Sequence, residues 1–226
     1  MTVHDLAARL PDIDLLRRRG MALAVLERLI DSDFPHYGYA SAWGPHEAAS
    51  MDNGSGDEWA VVFTTEGAFI RVFDHESPLS PYRNSDRELW PGLLDGLPAA
   101  FEGQVREPAF GDEDGRFVAT AVLWRLAGDD RWHAGDGIEF PPPRARHGDG
   151  EVDGSGMLEI LLDDIVEQFV EFAADYYEIT LDPAAVAHVV AHRPLTDAVV
   201  RAVNPRLTVA DVHRDVTAMG YPVAAS

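Results

Sequence analysis

The chain is 226 residues long, contains no cysteine, and sets 18 Lys+Arg against 39 Asp+Glu for a formal charge of −21. Its 46% hydrophobic content can supply a proper core, so neither disulfides nor a structural metal is needed; cysteine nucleophiles and thiolate metal sites are excluded. Every basic residue is arginine. So acidic a chain repels phosphate backbones, which argues against DNA or RNA, whereas a basic protein would be attracted and steered.

The first residues, "MTVHDLAARLPDIDLLRRRG", carry acids early and no apolar run of signal-peptide length. No stretch approaches the ~18 apolar residues of a membrane span, so the expectation is a cytoplasmic protein with no membrane partner. Residues 13–31 place Leu16, Leu23, Leu26 and Ile30 at helical spacing, with Gly20 weakening the middle of the helix without breaking it. Residues 34–51, rich in Tyr, Trp, Gly and Pro, read as loop running into strand.

The clearest β signals follow. "EWAVVFTT" and "AFIRVFDHE" flank Glu66-Gly67 as two strands with a tight turn. Residues 86–107 read as short helical pieces punctuated by Pro91 and Pro98. "RFVATAVLWRLAG" and "RWHAGDGIEF" form a second hairpin around Asp129-Asp130. Consecutive hairpins without βαβ alternation predict an antiparallel sheet.

Residues 141–156, "PPPRARHGDGEVDGSG", read as a Pro/Gly/Asp-rich linker between a helix-plus-sheet region, 1–140, and a helical lobe, 157–226. In the lobe Leu158, Leu162, Ile165, Phe169, Phe172 and Tyr176 repeat at three and four, predicting one long amphipathic helix. Asp182-Pro183 and Thr196 open two further helices, the second ending at Asn204-Pro205; Thr208 opens a last one that stops at Gly220. The predicted class is α+β: an N-terminal helix, an antiparallel sheet, then a C-terminal helical layer.

Three groups of residues are candidates for chemistry. Asp74, His75, Glu76 and Ser77 stand in a row at a strand end. Extended chain alternates its side chains, so the four cannot converge as a Ser–His–acid relay. The plainer reading is a strand end leading into "SPLSPY" whose Asp74 or Glu76 holds loop amides; the alternative is that His75 with Glu76 or Asp74 contributes acid–base groups to a metal-assisted hydrolase. "DNGSGD", 52–57, and "HGDGEVDGSG", 147–156, resemble calcium loops but lack the closing bidentate Glu, and read better as tight turns with positive φ. His188 and His192, four apart in "HVVAH", read first as two helix-surface histidines near a C-terminus; on a helix they can also face one way as metal ligands do, with His213 or Asp197 as a distant third. A zinc-protease motif would need Glu where Val189 stands.

Glu159, Asp163, Glu167, Glu171 and Asp175 recur every fourth residue. Like charges so spaced cost a few tenths of a kcal/mol per pair in a helix; a solvated face is the default reading, and the alternative is that something cationic answers them, internal Arg193 or Arg201 or a basic partner. No phosphate-binding loop, dinucleotide fingerprint, nucleophile elbow or kinase set is present.

The stretch "NGSGDEWAVVF…GAFIRVFDHES", residues 53–77, resembles the sheet signature of SUKH-type immunity proteins: a Gly-x-Gly-Asp turn, a strand, a returning strand and a terminal His-Glu. Gly54, Gly56, Asp57, Gly67, Ile70, His75 and Glu76 carry the resemblance. The "LP" segment and Asn-Gly-Gly turn that precede the sheet in that family have no counterpart. The blocks "DHESPLSPY", "WPGLLDGLP", "WHAGDGIEFP", "ADYYEI" and "RPLTDAVVRAVNP" are similar to a family of uncharacterised bacterial proteins. The first resemblance implies a non-enzymatic binder that neutralises a toxin, with no catalytic residues and no cofactor. The expectation is therefore an acidic immunity-like protein masking a basic toxin or effector through Asp57, Glu159, Asp163, Glu167, Glu171 and Asp175; the alternative is the metal-assisted hydrolase.

Overall fold

The computed structural model describes residues 1–141 and 152–224. The fold is α+β, as the pattern predicts. Two helices, α1 (Val3–Ala7) and α2 (Ile13–Ile30), precede six antiparallel strands: β1 (Tyr37–Trp43), β2 (His46–Asp52), β3 (Glu58–Phe63), β4 (Gly67–Phe73), β5 (Ala121–Leu126) and β6 (His133–Ala134). The strands are neighbours in chain order, β1-β2-β3-β4-β5-β6, the topology of successive hairpins. A short α3 (Glu102–Val105) interrupts the β4–β5 connection, and α4 (Ile165–Tyr176), α5 (Pro183–Val190), α6 (Asp197–Val203) and α7 (Val209–Ala218) close the chain.

Contacts divide the chain into two compact units that interleave in sequence: Met1–Ile13 with Met51–Glu159, and Asp14–Ser50 with Ile160–Ser226. In the first unit β3 and β4 are buried along almost their whole length. Strands covered on both faces lose the apolar–polar alternation, which is why "EWAVVF" and "AFIRVF" read as continuous apolar runs. β4 pairs with β3 through Val61↔Ile70 and with β5 through Ile70↔Leu123. Arg71 is the charged exception at 2% exposure: it pairs with Glu58 at 2.6 Å, donates to the Val118 carbonyl at 2.6 Å and lies over the Phe73 and Phe110 rings. Burial costs a charge heavily unless it is paired in this way.

In the second unit α2 buries Leu16, Leu23, Leu26 and Leu29, and α4 buries Ile165, Phe169 and Ala173. Gly20 holds its place in α2 because a Cβ there would lie 2.6 Å from the Ala49 Cβ on β2. The expected caps are present: Asp182 accepts the Ala184 N–H ahead of α5, Thr196 the Val199 N–H ahead of α6, and Thr208 forms a capping box with Asp211 ahead of α7.

Three expectations are corrected. Residues 34–51 hold a hairpin, β1 and β2, around Gly44-Pro45, not a loop with one strand. Polar Ser41, His46 and Glu47 dilute the apolar pattern there. The long stripe from Leu158 to Tyr176 is not one helix: Ser155–Leu161 is a 3-10 turn and α4 begins only at Ile165. Apolar spacing at three and four does not distinguish a 3-10 turn followed by a helix from a single helix. Residues 74–77 are a turn beyond the end of β4, not extended strand. The linker read over 141–156 and the turn read over 147–156 lie, apart from Pro141 and residues 152–156, outside the described residues.

Candidate functional site

The turn "DNGSGD" and the end of β4 make a polar corner in the first unit. Asp52 Oδ1 accepts the Gly54 N–H and Asn53 Oδ1 accepts those of Ser55 and Asp57, while Gly54 and Gly56 take φ of 71° and 103°. Side-chain oxygens bonding the backbone two residues on are what Asn and Asp supply to turns. The turn thus delivers Asp57 to His75. Asp57 Oδ1 lies 2.7 Å from His75 Nδ1 and accepts the His75 backbone N–H at 2.9 Å; Asp57 Oδ2 accepts the Asn53 side-chain amide at 2.7 Å.

These contacts set the charges. Partial burial penalises the Asp57 carboxylate, but the hydrogen bonds from His75 and Asn53 together outweigh it and hold its pKa below the usual value. The hydrogen bond to Asp57 in turn raises the His75 pKa against a small desolvation effect. An ionised carboxylate only accepts, so Nδ1 carries the shared proton and Nε2 is the basic nitrogen of the neutral ring. Asp74 goes the other way: burial raises its pKa, and the neighbouring Asp57 charge adds to it. Its Oδ1 accepts the Glu76 and Ser77 N–H groups at 2.8 and 3.0 Å, closing the turn that replaces the expected strand.

Because the chain turns, Asp74 and His75 are not thrown to opposite faces. Their ligand atoms and one of Asp57 lie within 4.8 Å of one another, the one group of three potential metal ligands found among the described residues. Ser77 takes no part, since its Oγ is buried and donates to the Val152 carbonyl at 2.7 Å. The corner therefore offers an oriented imidazole and two carboxylates for proton transfer or a cation, and no serine nucleophile.

The histidine pair of "HVVAH" separates. α5 ends at Val190, and His192 sits beyond it in the left-handed region at φ 57°, stacked on Tyr221 at 4.7 Å with its pKa lowered by burial. His188 Nε2 lies 3.0 Å from the Pro194 carbonyl. Spacing of four places residues on one face only while the helix continues. Asp197 and His213 line a cleft of about 750 Å³ with Thr196, Thr208 and Val209, but neither belongs to a group of three ligands among the described residues.

The acidic series also divides. Glu159 pairs with Arg9 at 3.2 Å, and Asp163 with the nearly buried Arg19 at 2.8 Å. Glu167, Glu171 and Asp175 stand on the exposed side of α4, and no ion pair among the described residues involves them. The internal arginines expected to answer them do not: Arg201 pairs with Asp197 at 3.6 Å.

At the C-terminal end of α4 the series meets aromatic surface that the sequence reading passed over. Tyr176 is 47% exposed, stacks on Phe172 at 5.4 Å and meets the His36 and Tyr177 rings, each at 4.8 Å. Phe34, 79% exposed, has its carbonyl 3.4 Å from the Tyr177 hydroxyl. That hydroxyl donates to Glu27, which is only 2% exposed. Burial pushes Glu27 up to about 7, against the opposing pull of the Tyr177 hydroxyl and the His36 and Tyr37 backbone amides. The signal was present as "DFPHYGY" and "DYY", but each is short, and only the fold joins them.

No family model, curated protein or solved structure matches the chain. No helix among the described residues is long and apolar enough to cross a membrane.

Proposed function

We propose that the protein is a cytoplasmic, non-enzymatic binding protein that takes a basic protein, in the manner of an immunity protein masking a cationic toxin or effector. The observation that carries the reading is the exposed row Glu167, Glu171 and Asp175, three carboxylates at four-residue steps with no ion pair among the described residues. Placing like charges in this way disfavours the helix slightly, and a cationic partner offsets that cost on binding. The formal charge of −21 adds long-range attraction that speeds encounter with such a partner. Glu159 and Asp163, already tied to arginines, contribute less than the row on α4, and Asp57 serves the corner at His75.

The test is affinity capture from the source organism at low salt. The wild type should recover a basic protein that elutes as salt rises, and the variant Glu167→Gln/Glu171→Gln/Asp175→Asn should lose it. Equal recovery by both, or no specific partner at all, would overturn the reading.

One observation favours a second reading, a metal-assisted hydrolase: the 4.8 Å cluster of Asp57, Asp74 and His75. The cluster keeps His75 and Asp74 from the sequence argument and puts Asp57 in the place expected for Glu76. Thermal shift with Zn²⁺, Mn²⁺ and Ca²⁺, together with elemental analysis, decides it. A metal-dependent rise in the unfolding temperature that disappears in Asp57→Asn supports the reading, and no stabilisation by any of the three sinks it.

A further inference from the structure

Glu167, Glu171 and Asp175 rise along α4 in steps of about 6 Å, four residues at ~1.5 Å each. Alternate residues of an extended peptide are ~6.7 Å apart, close enough for every second side chain of a strand to meet one carboxylate. The row ends at residues of a different kind. Tyr176 follows Asp175 directly and Phe172 follows Glu171, so the carboxylates run alongside the aromatic cluster of Phe172, Tyr176, Tyr177 and His36. Tyr176 and Phe34 are two of the three large apolar side chains most exposed in the described residues. The ring centroids stand 4.8 to 5.7 Å apart, so the rings fill the space between themselves and leave no cage for an ammonium group. What remains exposed is part of the Tyr176 ring, which follows Asp175 directly in the helix, and the Phe34 ring.

That pairing selects between the two basic side chains. An ammonium is a compact, strongly hydrated charge that gains mainly from the carboxylates. A guanidinium is planar and weakly hydrated; it stacks on an aromatic face while its edge donates to a carboxylate. Resting on the partner-binding reading above, we propose that this end of α4 is an arginine-reading surface: an extended, arginine-bearing segment of the basic partner lies along the carboxylate row and stacks one guanidinium on an exposed ring, Tyr176 or Phe34.

The whole protein is titrated with two blocked peptides of about seven residues, one alternating arginine with threonine and the other lysine with threonine, at about 50 mM salt. The arginine peptide should bind about fivefold more tightly, the advantage expected of one exposed stacked cation. In Phe34→Ala/Tyr176→Ala that ratio should fall towards one with the lysine peptide's affinity unchanged. In Glu167→Gln/Glu171→Gln/Asp175→Asn both peptides should weaken together. Phe34 and Tyr176 are exposed, and unfolding curves matching the wild type certify each variant as folded. Equal affinity of the wild type for both peptides, or a ratio that survives Phe34→Ala/Tyr176→Ala, overturns the arginine-reading surface alone. Failure of both peptides to bind removes the partner reading and this inference with it.

Discussion

The polar corner at His75 and the exposed side of α4 are both dense in carboxylates, yet they spend them differently. At the corner each acid has a local duty: Asp52 and Asp74 bond turn amides, and Asp57 holds His75 and Asn53. On α4 the carboxylates of Glu167, Glu171 and Asp175 close no turn and join no ion pair among the described residues. A carboxylate used by its own backbone explains its place in the chain without any ligand. One that only raises the helix's self-repulsion asks for a reason outside the helix.

The comparison breaks most visibly where the corner is packed tightest. Gly154 takes φ 75°, and a Cβ there would lie 2.6 Å from the Asp74 Cβ. Gly154→Ala should therefore destabilise the first unit by about 3 kcal/mol, from left-handed strain and overpacking together, read as a lower denaturant midpoint. If α4 is the partner surface, the folded fraction of this variant should still bind the basic partner.

The second unit hides one acid as well, and it responds to pH. Glu27 has its pKa raised from 4.5 to about 7 by burial. A raised carboxyl means that the folded state binds more protons than the unfolded one between those values. The contribution is thus fully present below about 4.5 and is lost as pH rises through about 7. Glu27→Gln keeps an acceptor for the Tyr177 hydroxyl and removes the charge. It should raise stability at pH 8 by about 2 kcal/mol and flatten the pH dependence across that window, as measured by chemical denaturation at several pH values.

How much of this was legible in the sequence depended on how local its cause was. Turn and cap chemistry acts over two to four residues, so Thr196, Thr208, Asp182 and the "DNGSGD" turn could be read directly. The sheet was legible at β3 and β4, where burial on both faces gives unbroken apolar runs, and illegible at β1 and β2, whose polar Ser41 and Glu47 break the pattern. The relation of Asp57 to His75 was half legible. Both lie within one short stretch, but extended strand over 74–77 would send Asp74 and His75 to opposite faces. One Asp74 side chain bonding two amides undoes that premise. Glu27 and the Phe34–Tyr176 surface were not legible, because their partners are some 140 residues apart in sequence and no short-range pattern joins them.

A smaller effect sharpens the corner's side. Since the hydrogen bond to Asp57 is the main reason His75 titrates high, Asp57→Asn should lower the imidazole pKa towards its ordinary value, followed by NMR of the ring protons. The pair contributes to stability between the lowered Asp57 pKa and the raised His75 pKa; the contribution is lost as pH rises through the latter and as it falls through the former, and Asp57→Asn should remove both dependences. Its cost at pH 6 should be about 1 kcal/mol, because the imidazole is half exposed and solvent screens the pair.

The smallest stability change belongs to α4, and it is the most telling. Glu167→Gln, Glu171→Gln and Asp175→Asn together remove two like-charge contacts at four-residue spacing, 167 with 171 and 171 with 175, without taking a partner from any buried group. The unfolding midpoint should hold or rise slightly, by a few tenths of a kcal/mol per contact at low salt and by less at high salt. Binding of the basic partner should be lost in the same variant. A helix that grows no weaker when its acids go, in a protein that no longer binds, means that the carboxylates serve the partner. A clear loss of stability would instead mean that they hold the fold, like those at the corner, and the contrast between the two regions would disappear.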